Sequence, residues 1–418
     1  MTANTTLANG GPQSSHNDSS HTPFQAPPNS SELALIPSAS SHSTPAPAST
    51  SIPAQNASQS PQAEAIELIF LGTGTSGCVP VVQCLTAEPP TCPTCTSPLK
   101  ENKRLNTSAI VRIRCPPSST TSSKPVIKNL LIDAGKTLYP STLAHFPRHK
   151  INSIDALLLT HAHADAMFGL DDLRSWTLPH PSRLSNQTHI DVYCSSTTMA
   201  EVTRTFPYLV DKSQATGGGD VPSFVWHVFD EWSSTPFTIP SCGDVQITPL
   251  PVEHGRYLSS GKPFWNLGFR VGGFSYISDC SGIPEVTRER MAGSRVVVLD
   301  GLRWEEHASH WSLRRSRGWV RDVLGNGVVR SKRPNGIARL GQEEQAGEGE
   351  TNGDDEDQWT PELGPQSTWL TGFSHQVEHV HTTNEFTEWG EREGGGMYVR
   401  PAWDGLRLGV DGRPLPGS

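Results

Sequence analysis

Short apolar runs, each closed by Gly, Pro or small polar residues, recur through the middle of the chain and predict strands. Ala65 to Leu71 is the first, with Gly72-Thr73-Gly74-Thr75-Ser76-Gly77 as its turn. Ile110 to Ile113 and Asn129 to Ile132 predict a hairpin around Pro116-Pro117-Ser118-Ser119, and Asp133-Ala134-Gly135 closes its second strand. Ala156 to Leu159 is apolar without alternation, as expected of a strand buried on both faces. Gly169-Leu170-Asp171-Asp172-Leu173-Arg174 starts a helix. Further strands are expected at Ile190 to Tyr193, Val225 to Phe229 and Val245 to Leu250. Gly268 to Val271, Phe274 to Ile277 and Val296 to Leu299 complete a second sheet. The pattern resumes at Ser367-Thr368-Trp369-Leu370 and ends with Trp403-Asp404-Gly405-Leu406-Arg407-Leu408. No internal repeat of about 20–50 residues is visible. Two groups of strands with helices between them predict an α/β fold, helices flanking two packed sheets.

Composition changes this picture at two places. Only 34% of the 418 residues are hydrophobic, while Pro at 35 and Gly at 37 are abundant. One ordered body is therefore expected, diluted by segments that bury too little apolar surface to offset their conformational entropy. Residues 1–63, rich in Ser, Pro, Thr, Ala, Asn and Gln, are expected to be a disordered tail. Residues from about 333 to 366 carry Glu343-Glu344, Glu348, Glu350 and Asp354-Asp355-Glu356-Asp357 with few apolar anchors, which predicts a disordered acidic insertion in the body of 64–418. The formal net charge of -9 gives no general footprint for nucleic acid. No apolar stretch is long enough to span a bilayer, and the first basic residue is Lys100, unlike an Arg-rich transit peptide. A cytoplasmic or nuclear setting is expected, with the eight cysteines reduced or metal-bound.

Candidate chemistry begins where the run Ala156 to Leu159 ends. His161, His163 and Asp165 alternate with alanines, so an extended segment would present all three on one side. Two imidazoles and a carboxylate at the end of a rigid strand suit zinc, manganese or iron. A second ligand pattern is Cys84 with Cys92-Pro93-Thr94-Cys95, half of a zinc knuckle plus a third thiol at loop distance. The glycine-rich turn after the first strand completes neither a dinucleotide fingerprint nor a phosphate loop, so its glycines read as backbone-permissive turn residues.

The segment His161-Ala162-His163-Ala164-Asp165-Ala166 resembles the His-x-His-x-Asp-His signature of the metallo-β-lactamase superfamily, with Ala166 in place of the last histidine. The resemblance implies a four-layer αββα sandwich. It also implies that Pro251-Val252-Glu253-His254-Gly255 and Ile277-Ser278-Asp279-Cys280 contribute ligands, so that His161, His163, His254 and Asp279 hold one catalytic cation. In two-metal members the second ion uses the first-motif Asp, the shared Asp, the histidine that is Ala166 here and the histidine of a Thr-His-x-Ser motif. This chain has Thr371-Gly372-Phe373-Ser374 there. Loss of both exclusive histidines implies a changed second site, for which His379 is a candidate surrogate ligand.

Within the superfamily, Leu71-Gly72-Thr73-Gly74, Val79-Pro80-Val81, the cysteines, Asp279-Cys280-Ser281-Gly282-Ile283-Pro284-Glu285 and Trp403-Asp404-Gly405 resemble the cyclic ribosyl-phosphate phosphodiesterases of the carbon–phosphorus lyase pathway. That resemblance implies a structural zinc on Cys84, Cys92, Cys95 and His375. It also implies a substrate-facing histidine in His307-Ala308-Ser309-His310-Trp311-Ser312-Leu313, best matched by His310, with His307 as competitor. Arg303 is a candidate phosphate clamp. Cys78, Cys115, Cys194, Cys242 and Cys280 read as small apolar residues.

The expected activity is hydrolysis of a small or cyclic phosphodiester. A catalytic zinc, or manganese or iron in its place, would lower the pKa of bound water toward ~7. Asp165 would orient that water or accept its proton, and His310 would stabilise phosphoryl charge or protonate the leaving oxygen. Two readings from other classes stay open: a mononuclear iron oxygenase on the same fold, and a non-catalytic binding protein. The expected partner is a small-molecule phosphodiester, not a membrane or nucleic acid, and a homodimer is compatible with the sequence.

Overall fold

The structure, a computed structural model, describes residues 62–117, 124–179, 187–230, 232, 235–324, 367–394 and 396–418, all within the compact unit Ser58–Ser418. The tail expected over 1–63, apart from residues 62 and 63, and the acidic insertion expected at about 333–366 lie outside the described residues. No helix among the described residues is long and apolar enough to cross a membrane.

Two sheets form the body. The first uses β1 (Glu64–Gly72), β2 (Ser108–Cys115), β3 (Val126–Ile132), β4 (Ala156–Leu158), β5 (Ile190–Ser195), β6 (Phe224–Phe229) and β14 (Arg407–Gly409), in the order β14-β1-β2-β3-β4-β5-β6. The second uses β7 (Phe237–Ile239), β8 (Val245–Arg256), β9 (Pro263–Val271), β10 (Phe274–Tyr276), β11 (Val296–Asp300), β12 (Ser367–Thr371) and β13 (Val399–Pro401), in the order β13-β12-β11-β10-β9-β8-β7. In each sheet an antiparallel part meets a parallel part, at β3 in the first and at β10 in the second.

Why these runs lack polar alternation is visible in their packing. Along β1, Leu68 and Phe70 enter the core between the sheets, while Ile69 and Leu71 enter a second core on the outer face. Along β11, Val296 and Val298 face the first sheet, and Val297 and Leu299 face outward into a third core. A strand with both faces covered needs apolar residues at every position. The helix Leu138–His149 covers the first sheet through Leu138 and Phe146. The helix His379–Arg392 covers the second through Phe386 and Trp389, each burial stabilising by roughly 1.5–3 kcal/mol. The four-layer αββα sandwich is the result.

Three local expectations need correcting. His161, His163 and Asp165 do not share one extended segment: the strand ends at Leu158, the chain bends at Ala162 and His163, and His163 caps the short helix Ala164–Met167 with Asp165 in its first turn. The Ala134 amide donates to the Ala166 carbonyl and the Ala166 amide to the His163 carbonyl, so backbone pairing favours the turn over continued extension. The helix expected from Gly169 starts as a 3-10 turn, Leu170–Leu173, before Arg174–Thr177 becomes α-helical. β9 begins at Pro263, five residues before the run that predicted it, because its first residues extend the β8 hairpin beyond the core.

Candidate functional site

Strand ends deliver the histidines. Asp133, just after β3, has φ 60 and turns its carboxylate back on the chain leaving β4. It accepts from the Thr160 amide at 2.8 Å and from the Thr160 hydroxyl at 2.8 Å. That hydroxyl, its proton given to Asp133, accepts from His161 Nδ1 at 2.8 Å, which leaves the Nε2 lone pair of His161 free. His161 Nε2 is buried and has no hydrogen-bond partner. His254 is set the same way: its Nδ1 donates to the Ser309 carbonyl at 2.7 Å, so its Nε2 is bare. With the exposed His163, the three rings each offer one nitrogen within 4.8 Å of the others. Burial first, then neighbouring histidines, hold all three imidazoles below their ordinary pKa, His254 at about 4. A cradle of neutral imidazoles with inward lone pairs and second-layer acceptors fits a divalent cation.

Asp279 lies in an adjoining cluster with Asp300 and His310. His310 Nδ1 is 2.9 Å from Asp300 Oδ2 and 3.6 Å from Asp279 Oδ1, and its ring is 4.8 Å from that of His254. Burial lowers the His310 pKa, but the charge and hydrogen bond of Asp300, with help from Asp279, raise it to about 9. Burial, partly offset by His310, pushes Asp279 up to about 6. Asp165 is buried, and its carboxyl is raised by burial and by Asp279 while His163 and His254 lower it.

Of the two positions where the motif histidines are missing, Gly372 is closed to a side chain. Gly372 has φ 78, and a Cβ there would lie 2.8 Å from Asp300 Oδ1 and 3.1 Å from the Ser278 carbonyl. Ala166 is buried. His379 joins none of the ligand clusters: it opens the helix His379–Arg392, buried edge-on against Trp403 at 5.5 Å. Burial and Arg104 bring its pKa down to about 4. Arg303 Nη2 donates to the Glu306 carbonyl at 3.3 Å within its own loop, and its Nε is buried without a hydrogen-bond partner. His307 is exposed, 5.4 Å from His310.

Cys84, Cys92, Cys95 and His375 form the third cluster. His375 Nδ1 lies 3.4 Å from Cys84 Sγ and 3.5 Å from Cys92 Sγ, and the Val81 amide donates to Cys95 Sγ at 3.4 Å. Burial raises the Cys92 thiol, but hydrogen bonds from His375 and the neighbouring cysteines bring it to about 7, while burial takes Cys95 to about 11. Three thiols and an imidazole fit a tetrahedral soft-ligand site.

A Beta-lactamase superfamily domain is matched over residues 128–328. That stretch is a beta-lactamase superfamily domain, and the chain has the metallo-β-lactamase fold. It superposes on a diphosphatase of the PhnP family with a TM-score of 0.54, 23% identity and coverage of 82% of this chain and 97% of that one. Zn(2+)-bound PqqB from Methylobacterium extorquens superposes with a TM-score of 0.52, 16% identity and coverage of 82% and 99%. An octanoyltransferase of Porphyromonas gingivalis is 26% identical over 250 residues, 59% of this chain, and the chain spans only 41% of that relative's length. Superfamily members are metal-dependent hydrolases, and the fold with its three ligand clusters implies divalent-cation binding.

Two contributors to the site lie outside the sequence motifs. Asp300 ends β11 as Asp133 follows β3, and a carboxylate at a strand end was a signal available to find it. Thr160 carried none, because a lone threonine beside a motif histidine is unremarkable until Asp133 is seen behind it.

Proposed function

We propose that the protein is a zinc-dependent phosphodiesterase acting on a small or cyclic phosphodiester, with one catalytic cation on His161, His163 and His254, Asp279 alongside, and a structural zinc on Cys84, Cys92, Cys95 and His375. The observation that carries the reading is His310, held by Asp300 at 2.9 Å with its ring 4.8 Å from that of His254, beside the cradle of three histidines. Such a site favours a substrate that is anionic and gains charge on oxygen as it reacts. The cation would supply Lewis acidity and a water activated near neutral pH.

The remaining steps belong to side chains. Asp165, next to His163 and His254, orients the attacking water and takes its proton. Asp300 holds His310 through Nδ1, which leaves the Nε2 proton to bind a phosphoryl oxygen and pass to the leaving alkoxide. Asp279 completes the wall between cradle and acid.

Elemental analysis and diester hydrolysis, measured together on the full chain, test this. About two zincs per chain are expected, one lost in His254→Ala along with hydrolysis of bis(p-nitrophenyl) phosphate. His310→Gln should keep both zincs and lower kcat by about a hundredfold. Iron in the histidine cradle with dioxygen uptake and no diester cleavage would replace the proposal with an oxygenase. Three metals per chain would sink the single-cation centre.

A further inference from the structure

The hairpin of β8 and β9 carries aromatic residues that the cores do not use. β8 shifts register between Glu253 and Arg256, where Gly255 has φ 77, and a Cβ at Gly255 would come within 2.8 Å of Ser309. This bulge bends the strand at His254 and carries the hairpin past the sheet. Alternation along β9 then divides its first residues. Trp265, opposite Glu253, packs on Trp232 with ring centroids 4.7 Å apart. Phe264 turns the other way and stacks on His163, centroids 5.0 Å apart and planes 16° from parallel. It is also 6.2 Å from His161 and 5.9 Å from His254. Tyr257 stands edge-on to Phe264 at 5.4 Å and is 48% exposed.

Phe264 is only half-buried, and beyond Tyr257 the turn, closed by the Tyr257 amide on the Lys262 carbonyl at 2.9 Å, is exposed. Leu258 at its tip is fully exposed. Two rings at right angles, one lying over a ligand histidine and one standing free, make a corner with an open apolar face beside the cation cradle. The turn also carries two cations, Arg256 and Lys262, on exposed positions near that corner. An aromatic face with basic neighbours suits a planar ring joined to an anion.

We propose that Phe264 and Tyr257 form a stacking wall for the substrate, so that the diester carries a planar aryl or nucleobase ring and not a bare sugar or alkyl chain. The inference rests on the phosphodiesterase reading for its chemistry and on the hairpin for its specificity. Phe264 also braces His163, whereas Tyr257 touches Phe264 and none of the three histidines, so Tyr257 separates recognition from support of the metal site.

The test uses the zinc-loaded full chain, with zinc content checked for each variant. KM is compared for adenosine 2′,3′-cyclic phosphate and glycerol 1,2-cyclic phosphate, and Kd for adenosine 5′-monophosphate and ribose 5-phosphate. The ring-bearing member of each pair should bind about tenfold more tightly, and Tyr257→Ala should reduce that preference to about threefold or less. Phe264→Leu should reduce it too, while Phe264→Tyr retains it. Hydrolysis of both esters with equal KM, unaltered in Tyr257→Ala, overturns the wall and leaves the activity standing. Hydrolysis of neither ester overturns the activity, and the two Kd values then decide the wall alone: equality rejects it, and a preference that Tyr257→Ala abolishes supports it.

Discussion

The imidazole of His310 sits between two buried carboxylates, with Asp300 2.9 Å and Asp279 3.6 Å from the same nitrogen. In metal-free protein its titration, followed by NMR, should have a midpoint near 9, and Asp300→Asn should bring the midpoint down toward or below 6.5. The sign for stability follows. A histidine whose folded pKa lies above its unfolded value stabilises fully below about 6.5 and loses that contribution as pH rises through about 9. Unfolding free energies of the wild type should therefore fall across that window, and those of Asp300→Asn should fall less. A second prediction concerns Gly372. Restoring both motif histidines in Ala166→His/Gly372→His should not add a metal, because residue 372 sits at φ 78 with Asp300 Oδ1 2.8 Å from its Cβ position. Elemental analysis should show an unchanged count and denaturation a loss of about 1–3 kcal/mol; a gained metal would contradict the closed-site geometry.

Among the elements, the site depends on how closely the turns after β3 and β4 meet. Gly135 is packed so tightly that a Cβ there would lie 1.8 Å from the Asp165 carbonyl oxygen, which is backbone and cannot rotate away. Gly135→Ala must push the helix Ala164–Met167 off the strand end, carrying Asp165 and the backbone of His163 with it. A cost of about 1–3 kcal/mol is expected in denaturant titrations, together with weaker cation retention on dialysis. Thr160→Val should spare the fold more but release Asp133 and His161 from their shared hydroxyl, so its effect should appear first in metal affinity, at about 10- to 100-fold.

Across the whole molecule, the thiol cluster joins distant parts of the chain. Cys84 and His375 are separated by 291 positions, and their cluster pins the loop after β1 to the turn that follows β12. Arg104 reinforces that junction, donating to the Val377 carbonyl at 2.7 Å with its guanidinium 4.7 Å from the Phe373 ring centroid. A cation binding the folded cluster and not the unfolded thiols would add its binding energy to stability. Cys84→Ser should thus lose one zinc and lower Tm by roughly 5–10 °C, with the histidine cradle still loaded. Loss of both zincs would mean that the two sites fold as one unit.

Much of this protein could be read locally. β1, β4 and β11 announce themselves because strands covered on both faces require apolar residues throughout, and the histidines and aspartates stand out because they interrupt those runs where strands end. The thiols of Cys92 and Cys95 are likewise close in sequence, so their pairing needed no fold. Other features depend on where separate strands bring their ends. Asp279 lies beside Asp300 and His310 because β10 and β11 run parallel and release their last residues together. His379 is carried away from the cradle because the third core claims the helix it opens. Phe264 reaches His163 only because a bulge in its partner strand reorients the hairpin. Which residues are buried in strands, and which ligand types follow them, is legible locally because period and composition act over a few residues. Which of those ligands meet depends on strand register and helix packing between segments far apart in the chain, so it emerges only in the folded molecule.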